Sequence, residues 1–287
     1  MDPRTSVVVS NRAVGPGWHL LRLRQPAIAA AARPGQFVQI SCAEAGSSDP
    51  LLRRPFSVYA ADRAGGTYDI LYTPVGRGTR WLAGIPDPEA GGPEAPLDVE
   101  GPFGNTFTAP EAGDRVYLVA GGVGVAPLHF FARELAERGS LRAAGPPGTP
   151  GALLLIGART KAALPGIDDF RKLPVAVRAA TEDGSEGYRG LVTELAAESL
   201  EAEPDLGRLR IYGCGPQGMN ESLRALAVER GVRAEICLES LMACGFGVCF
   251  GCVAPIRKEV GGPFYRRRIC YDGPVFDARL LAPGIEA

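Results

Sequence analysis

Four cysteines near the end of the sequence have the type and spacing to hold a redox centre. Cys244, Cys249 and Cys252 stand in the run C-G-F-G-V-C-F-G-C, and Cys270 follows further on. A C-x4-C-x2-C run with a distant fourth cysteine is the spacing of plant-type 2Fe–2S proteins. Two iron atoms need four thiolates that converge from one short loop and one returning strand. Gly245, Gly247 and Gly251 let such a loop curl without Cβ clashes and turn backbone N–H groups toward sulfur, where they help set the reduction potential. Two other readings stand beside this one. A structural zinc site usually presents two C-x2-C pairs, and here only Cys249 and Cys252 are so spaced. The cluster of thiols could also be metal-free and buried. Of the remaining cysteines, Cys42 and Cys237 read as core thiols, with Cys237 close enough in sequence to exchange with a ligand.

An iron–sulfur cluster passes one electron at a time, whereas a nicotinamide takes two as hydride, so a flavin is the natural intermediary. Candidate sites for both organic cofactors are visible. Arg54, Pro55, Phe56 and Ser57 stand at a strand start, where an Arg can pair with a diphosphate and a Ser hydroxyl can bond the flavin ring. An ordinary turn with surface arginines is the competing reading. Leu71, Tyr72 and Thr73 lead to a second polar turn with Gly78 and Thr79, whose N–H groups could hold phosphate. Gly121, Gly122, Val123, Gly124 and Pro127 belong to G-G-V-G-V-A-P, a turn between a strand and a helix. It is not G-x-G-x-x-G, no acidic residue stands at the expected ribose position, and a plain tight turn would look the same. Gly213, Cys214, Gly215 and Pro216 end a later strand, so the two turns are expected to face one cleft. Cys214 is the catalytic candidate, as a small polarizable side chain beside the nicotinamide; a buried thiol is the alternative.

The elements that must position these residues fall into three stretches. Short strands separated by turns are expected at 6–14, 18–24, 36–42, 56–61, 67–72 and 97–100, which together suggest a small antiparallel barrel. The polar run 86–96, PDPEAGGPEAP, reads as a surface insertion before the last strand. After residue 110 strands at 115–120, 152–158, 175–179, 209–212 and 233–238 alternate with helices at 128–138, 192–200 and 217–230. That rhythm predicts a parallel sheet covered on both faces, with nucleotide sites beyond the carboxyl ends of its strands. The run 143–151 reads as a linker, and the last stretch as a small cysteine module. The expected organisation is therefore a multidomain β plus α/β chain: a barrel over 1–110, an α/β domain over 111–236 and a cluster module over 237–287.

The bulk properties exclude several classes. The 287 residues carry a formal charge of −1, which gives no electrostatic reason to expect nucleic acid or an anionic membrane. The short basic run at Arg266, Arg267 and Arg268 reads as a solvated face or local docking patch. The N-terminus has no signal-like apolar core, and no apolar run reaches about 18 residues. An odd count of seven cysteines does not suggest a disulfide framework, so a cytosolic, reducing location is expected. His19 and His129, the two histidines, stand in no catalytic pattern.

The runs R-P-F-S, G-G-V-G-V-A-P-L, Y-G-C-G-P and C-G-F-G-V-C-F-G-C, in this order, resemble the ferredoxin-NADP reductase superfamily. More narrowly, the chain resembles the electron-transfer subunits of bacterial NAD-dependent (class 1B) dihydroorotate dehydrogenases, most specifically in E-S-L-M-A-C-G-F-G-V-C-F-G-C-V. The resemblance implies an FAD-binding barrel, with FAD held by Arg54 to Ser57, Leu71 to Thr73 and Gly78-Thr79. It implies NAD at Gly121 to Pro127 and Gly213 to Pro216. It also implies an FMN-containing catalytic partner in a heterotetramer, with electrons running from dihydroorotate through FMN, cluster and FAD to NAD+ in pyrimidine biosynthesis. Two features depart from that pattern: the 86–96 loop is long, and Arg159 could accept a 2′-phosphate, which opens NADP as an alternative. A subunit of a sulfide dehydrogenase or of an NADH-dependent ferredoxin:NADP oxidoreductase would share the same parts. A zinc-stabilised binding module without redox function would share only the cysteines.

Overall fold

The computed structural model describes residues 5–44, 46–147, 149 and 151–284. Part of the N-terminal stretch read for a leader (1–4) and part of the 143–151 linker (148 and 150) lie outside the described residues.

The first unit is built from β1 (Thr5–Gly15), β2 (Trp18–Arg24), β3 (Phe37–Ile40), β4 (Arg54–Ser57), β5 (Ala60–Asp62), β6 (Thr67–Tyr72) and β7 (Pro96–Phe103). Their order is β4-β3-β7-β1-β2-β6-β5, antiparallel throughout. Alternation drives the folding: in WHLLRLR it buries Trp18, Leu21 and Leu23 and leaves Arg24 exposed. Irregular registers between Val8 and Ser10 and between Ala13 and Gly15 curl β1. The sheet rolls until Phe56 of β4 and Tyr72 of β6 share one core, their rings 5.9 Å apart edge to face.

The strand expected at 56–61 is two strands, because the chain bends after Ser57 and Val58 N–H donates to the Gln36 carbonyl. A helix not anticipated, α1 (Pro26–Ala31), follows β2; Pro26 opens it and the Gln25 side chain caps it, accepting from Ala27 N–H at 2.8 Å. The short helix after the Gly76 turn is α2 (Arg77–Ala83). The 86–96 loop is strapped to the barrel: Asn11 N–H donates to Asp87, and Val8 N–H donates to the Ala95 carbonyl at 2.9 Å.

The second unit holds β8 (Arg115–Gly121), β9 (Gly151–Ala158), β10 (Ala176–Thr181), β11 (Tyr188–Arg189), β12 (Leu209–Cys214) and β13 (Arg233–Cys237). These six strands pair in parallel in the order β11-β10-β9-β8-β12-β13. Alternate residues of β8 feed opposite cores. Val116 and Leu118 pack with helices α3 (Val125–Glu137) and α4 (Ile167–Arg171), whereas Tyr117 and Val119 pack with α5 (Val192–Glu201) and α6 (Gln217–Glu229). Helix α3 starts at Val125 rather than at the expected 128, which places Pro127 in its first turn, where a missing N–H costs nothing.

A hairpin follows the cysteine run, β14 (Val253–Arg257) with β15 (Phe264–Arg268), and then α7 (Ile269–Asp272). The chain next returns to the α/β sheet: β16 (Val275–Asp277) pairs antiparallel with β13 as its edge strand. The sheet therefore does not end at residue 236, and the C-terminal segment crosses the expected boundary. Asn105, just past the barrel, exchanges hydrogen bonds with the Val275 backbone at 2.8 and 2.9 Å. The barrel also meets α3 directly. The His129 ring stacks on Tyr59 at 4.1 Å, its Nδ1 lies 3.0 Å from the Tyr59 carbonyl, and Phe130 joins the barrel core. Among the described residues no helix is long and apolar enough to cross a membrane.

Candidate functional site

The cysteine loop joins β13 to β14 with little regular structure, and its path depends on left-handed backbone. Gly245 and Gly247 have φ of 80° and 91°, and Phe250 takes 55° without being glycine. A Cβ on Gly247 would lie 2.8 Å from the Tyr271 Cβ, so this turn closes tightly on the segment that carries Cys270. The four thiols meet as two pairs. Cys244 hydrogen-bonds Cys249, and Cys270 N–H donates to Cys252 Sγ at 3.4 Å. Cys270 also feels Cys244 electrostatically, which links the pairs. Among the described residues no three His, Cys, Asp or Glu side chains converge as a single ion requires. Paired thiols with N–H groups turned toward them fit a two-iron cluster.

The local electrostatics follow from the same packing. Burial works against ionising Cys244, yet the N–H groups of Cys249, Phe246 and Val248, with the Cys249 side chain, bring its thiol down to about 6. Burial and the contact with Cys252 push Cys270 up to about 12. Cys249 is exposed, Cys244 half-buried, and Cys252 and Cys270 are buried. Arg268 is a strut of this loop rather than a solvated charge. It donates to the Gly247 carbonyl at 3.0 Å, pairs with Asp272 and lies over the rings of Tyr271 and Phe250.

A first cleft, about 240 Å³, opens between the barrel and the α/β sheet. Pro55, Phe56, Ser57, Leu71, Tyr72, Thr73 and Thr79, all flavin candidates by sequence, line it together. Arg54 lies beside it and donates to the Leu52 carbonyl. Gly78 is pressed on Cys42, where an added Cβ would approach the Cys42 Cβ to 2.9 Å. Thr79 Oγ1 accepts from Gly76 N–H at 3.0 Å and holds the turn. Cys42 is the expected core thiol; burial pushes it up to about 12, against the pull of Arg54. Sequence reasoning did not find Phe37, nor the run Leu238, Glu239, Ser240 and Met242 that leads into the cysteine loop and lines the same cleft. Cys237 is likewise a wall of this cleft.

A second cleft, about 520 Å³, lies beyond the carboxyl ends of the parallel strands. Gly121, Gly122 and Pro216 line it, and contact forces the other glycines. A Cβ on Gly124 would fall 2.2 Å from the Cys214 carbonyl oxygen, one on Gly213 2.3 Å from Leu223, and one on Gly215 2.4 Å from Met219. The expected single turn divides: Val123 faces the first cleft while Gly121 and Gly122 face the second. Pro127 is buried within α3. Cys214 is buried and lines neither cleft; its thiol hydrogen-bonds Cys237, and that contact together with burial raises it well above its ordinary value. The position after β9 carries Arg159, with no acidic residue there as read from the sequence, but Glu182, just past β10, lines the second cleft beside it. Trp18 reaches the same cleft from the barrel.

Comparison with known proteins agrees with this geometry. Residues 239–282 match the model of the iron-sulfur cluster binding domain of dihydroorotate dehydrogenase B. The electron transfer subunit of dihydroorotate dehydrogenase B (NAD(+)) from Desulforamulus reducens is 34% identical over 263 residues, 92% of each chain. Its counterpart from Bacillus caldolyticus is 37% identical over 275 residues, covering 94% of this chain and 95% of the relative. A solved NADH-dependent reduced ferredoxin-NADP oxidoreductase aligns with a TM-score of 0.77 at 28% identity, over 97% of this chain and 90% of that one. A ferredoxin NADP+ reductase from Neisseria gonorrhoeae with bound FAD and NADP shares the fold, at TM-score 0.60 and 16% identity over 79% of this chain and 91% of its own. With 34% and 37% identity to these relatives over more than nine-tenths of its length, this chain belongs to the family of electron transfer subunits of dihydroorotate dehydrogenase B.

Proposed function

We propose that this chain delivers electrons from a dihydroorotate-oxidising, FMN-containing catalytic subunit to NAD+, with a 2Fe–2S cluster on Cys244, Cys249, Cys252 and Cys270 and FAD in the first cleft. The observation that carries this reading is a sharing of walls. The run from Leu238 to Met242 leads from the flavin cleft into the cysteine loop, and the Gly121–Val123 turn separates that cleft from the second one. When bound, a flavin takes electrons singly and surrenders them as a pair, which joins a cluster to a nicotinamide.

The chain's own residues have separable tasks. Ser57 presents a hydroxyl to the flavin ring from inside the cleft, and Arg54 beside it meets the diphosphate. Leu71, Tyr72 and Thr73 form the ring's other wall, while Gly78 and Thr79 let the chain approach the phosphates. Gly121, Gly122, Gly124, Gly213, Gly215 and Pro216 keep side chains away from the nicotinamide dinucleotide, and Val123 and Pro127 set the turn. Cys214, with Cys237, provides a polarizable layer behind the nicotinamide. The Glu182 carboxylate accepts from ribose hydroxyls and repels a 2′-phosphate, which favours NAD over NADP despite Arg159. The three modules 1–110, 111–236 and 237–287 would then each carry one cofactor, with β16 tying the last to the second.

Around the cysteine loop Leu241, Phe246, Val248, Phe250 and Tyr271 are exposed, with Leu241 at 92%. Exposed apolar side chains beside the cysteines suit docking of the catalytic subunit, two copies of each in a heterotetramer. Free cysteines in odd number suit a reducing, cytoplasmic setting. A subunit of an NADH-dependent ferredoxin-NADP oxidoreductase is the second reading, favoured by the high structural similarity to one such protein. Co-expression decides between them. The first reading expects the chain to co-purify with an FMN subunit and to reduce NAD+ from dihydroorotate only in that complex. Oxidation of dihydroorotate by the chain alone would sink it.

A further inference from the structure

Gln39 lies in β3 with no exposed surface, and neither its Nε2 nor its Oε1 has a hydrogen-bond partner within the chain. A primary amide buried in this way is costly unless something outside the chain satisfies it. Its position says what that is. The amide presses on Gly245: a Cβ there would fall 2.4 Å from Gln39 Nε2 and 2.9 Å from its Cδ, and Gly245 takes φ of 80°. Gly245 directly follows Cys244, the thiol on which the N–H groups of Cys249, Phe246 and Val248 already converge. On its other side Gln39 adjoins the flavin cleft. Phe37, two residues earlier on the same face of β3, lines that cleft, and so does Pro55, the residue paired with Gln39 across β3 and β4.

We infer that Gln39 Nε2 donates a hydrogen bond to an inorganic sulfide of the cluster held beside Cys244, reaching from the flavin barrel to tune the iron–sulfur centre. Thiolate and sulfide sulfur can only accept, so the NH2 of the amide is the end that must face it. A donor at sulfur favours the more negatively charged, reduced cluster and raises its potential. The residue acts through the cluster rather than on substrate, so it is a positioning residue. The inference rests on the cluster reading given above.

The test uses the complex of this chain with its catalytic partner. Gln39→Met keeps the side chain's length and removes the donor. The expected result is full iron and FAD content, with the cluster's reduction equilibrium shifted about tenfold toward the oxidised form, about 59 mV more negative for one electron. The FAD potential stays as in wild type. A variant with full iron content and an unchanged cluster potential overturns the inference. Should Gln39→Met fail to load its cluster, wild-type complex labelled with 15N in glutamine side chains still decides. Gln25 caps α1 and Gln36 bonds Gly104, and Gln217, beside residues 238–241, is removed in a Gln217→Glu control, so a side-chain 15N coupling from this chain that persists in that control in pulsed EPR of the reduced cluster reports Gln39. Absence of that coupling overturns the inference. Wild-type protein with no iron–sulfur spectrum at all overturns instead the cluster reading on which it rests.

Discussion

The cleft proposed for the flavin and the cysteine loop proposed for the cluster are built by opposite means. Side chains of β3, β4 and β6 line the cleft, and two of them, Phe56 and Tyr72, belong with Val38 and Ile70 to one apolar core. That core exists without a ligand. The loop has such a core only at its end, where Cys252 packs with Cys270, Ala254 and Ile269 in the neighbouring core. Its turns rest on the left-handed backbone at Gly245, Gly247 and Phe250, its inner face consists of paired thiols, and Leu241, Val248 and Phe250 point outward. Arg268, through the Gly247 carbonyl and Asp272, is its main protein strut. A barrel of this kind carries its own stability, whereas in the proposed reading the loop would draw its order from metal–thiolate bonds.

Breaking the loop alone is the strongest test of that contrast. Cys249→Ser removes the most exposed ligand and should abolish the cluster, with partner-dependent NAD+ reduction falling by about 100-fold or more. FAD content and NADH oxidation by an artificial acceptor should hold. Iron and flavin analysis of the purified variant checks both, and joint loss of FAD would show that residues 238–242 need the loop to complete the cleft. Gly247→Ala strains rather than breaks it: left-handed backbone and the approach to Tyr271 should cost about 1–3 kcal/mol. Thermal scans at the cluster's visible band should then show earlier cluster loss while the flavin band melts unchanged.

The cleft side offers smaller effects. Glu182→Gln should narrow the preference for NAD+ over NADP+ by about tenfold, or about 1.4 kcal/mol, read as the ratio of kcat/KM values. An unchanged ratio would remove Glu182 from the ribose site. Smallest is the pH dependence at the seam with α3. Burial holds His129 below its usual 6.5, neutral against Tyr59. The unfolded chain binds that proton more readily, so the stability from this site is present above 6.5 and is lost as pH falls toward the lowered folded value. Thermal unfolding of the barrel between pH 7 and pH 5 should show this loss in wild type and a reduced loss in His129→Gln.

What the sequence made legible follows the same contrast. Metal chemistry dictates residue type and spacing together, so four cysteines announced the loop before any fold was considered. R-P-F-S and the glycine turns were legible because phosphates and flat rings demand Arg, Ser and missing side chains at strand ends. Phe37, the 238–242 run and Glu182 were not, since packing of distant segments brings them to the clefts and no local pattern marks them. The division of the Gly121–Pro127 turn depends on α3 beginning at Val125, three residues before the apolar spacing became regular. β16 is three residues long, too short for a periodicity to appear, and its pairing with β13 is a tertiary fact. Arg268 reads as solvated charge within a basic triplet until Tyr271, Phe250 and Asp272 fold around it.

In the proposed electron path, electrons from the catalytic partner reach this chain's flavin only by way of the cysteine loop. Anaerobic mixing of the two-subunit complex with dihydroorotate, without NAD+, tests it directly when the visible bands of cluster and FAD are followed in wild type and in Cys249→Ser. Both bands should bleach in the wild-type chain, and the FAD band should stay oxidised in the variant although the partner's own flavin is reduced. Bleaching of FAD at the wild-type rate in Cys249→Ser would contradict the account.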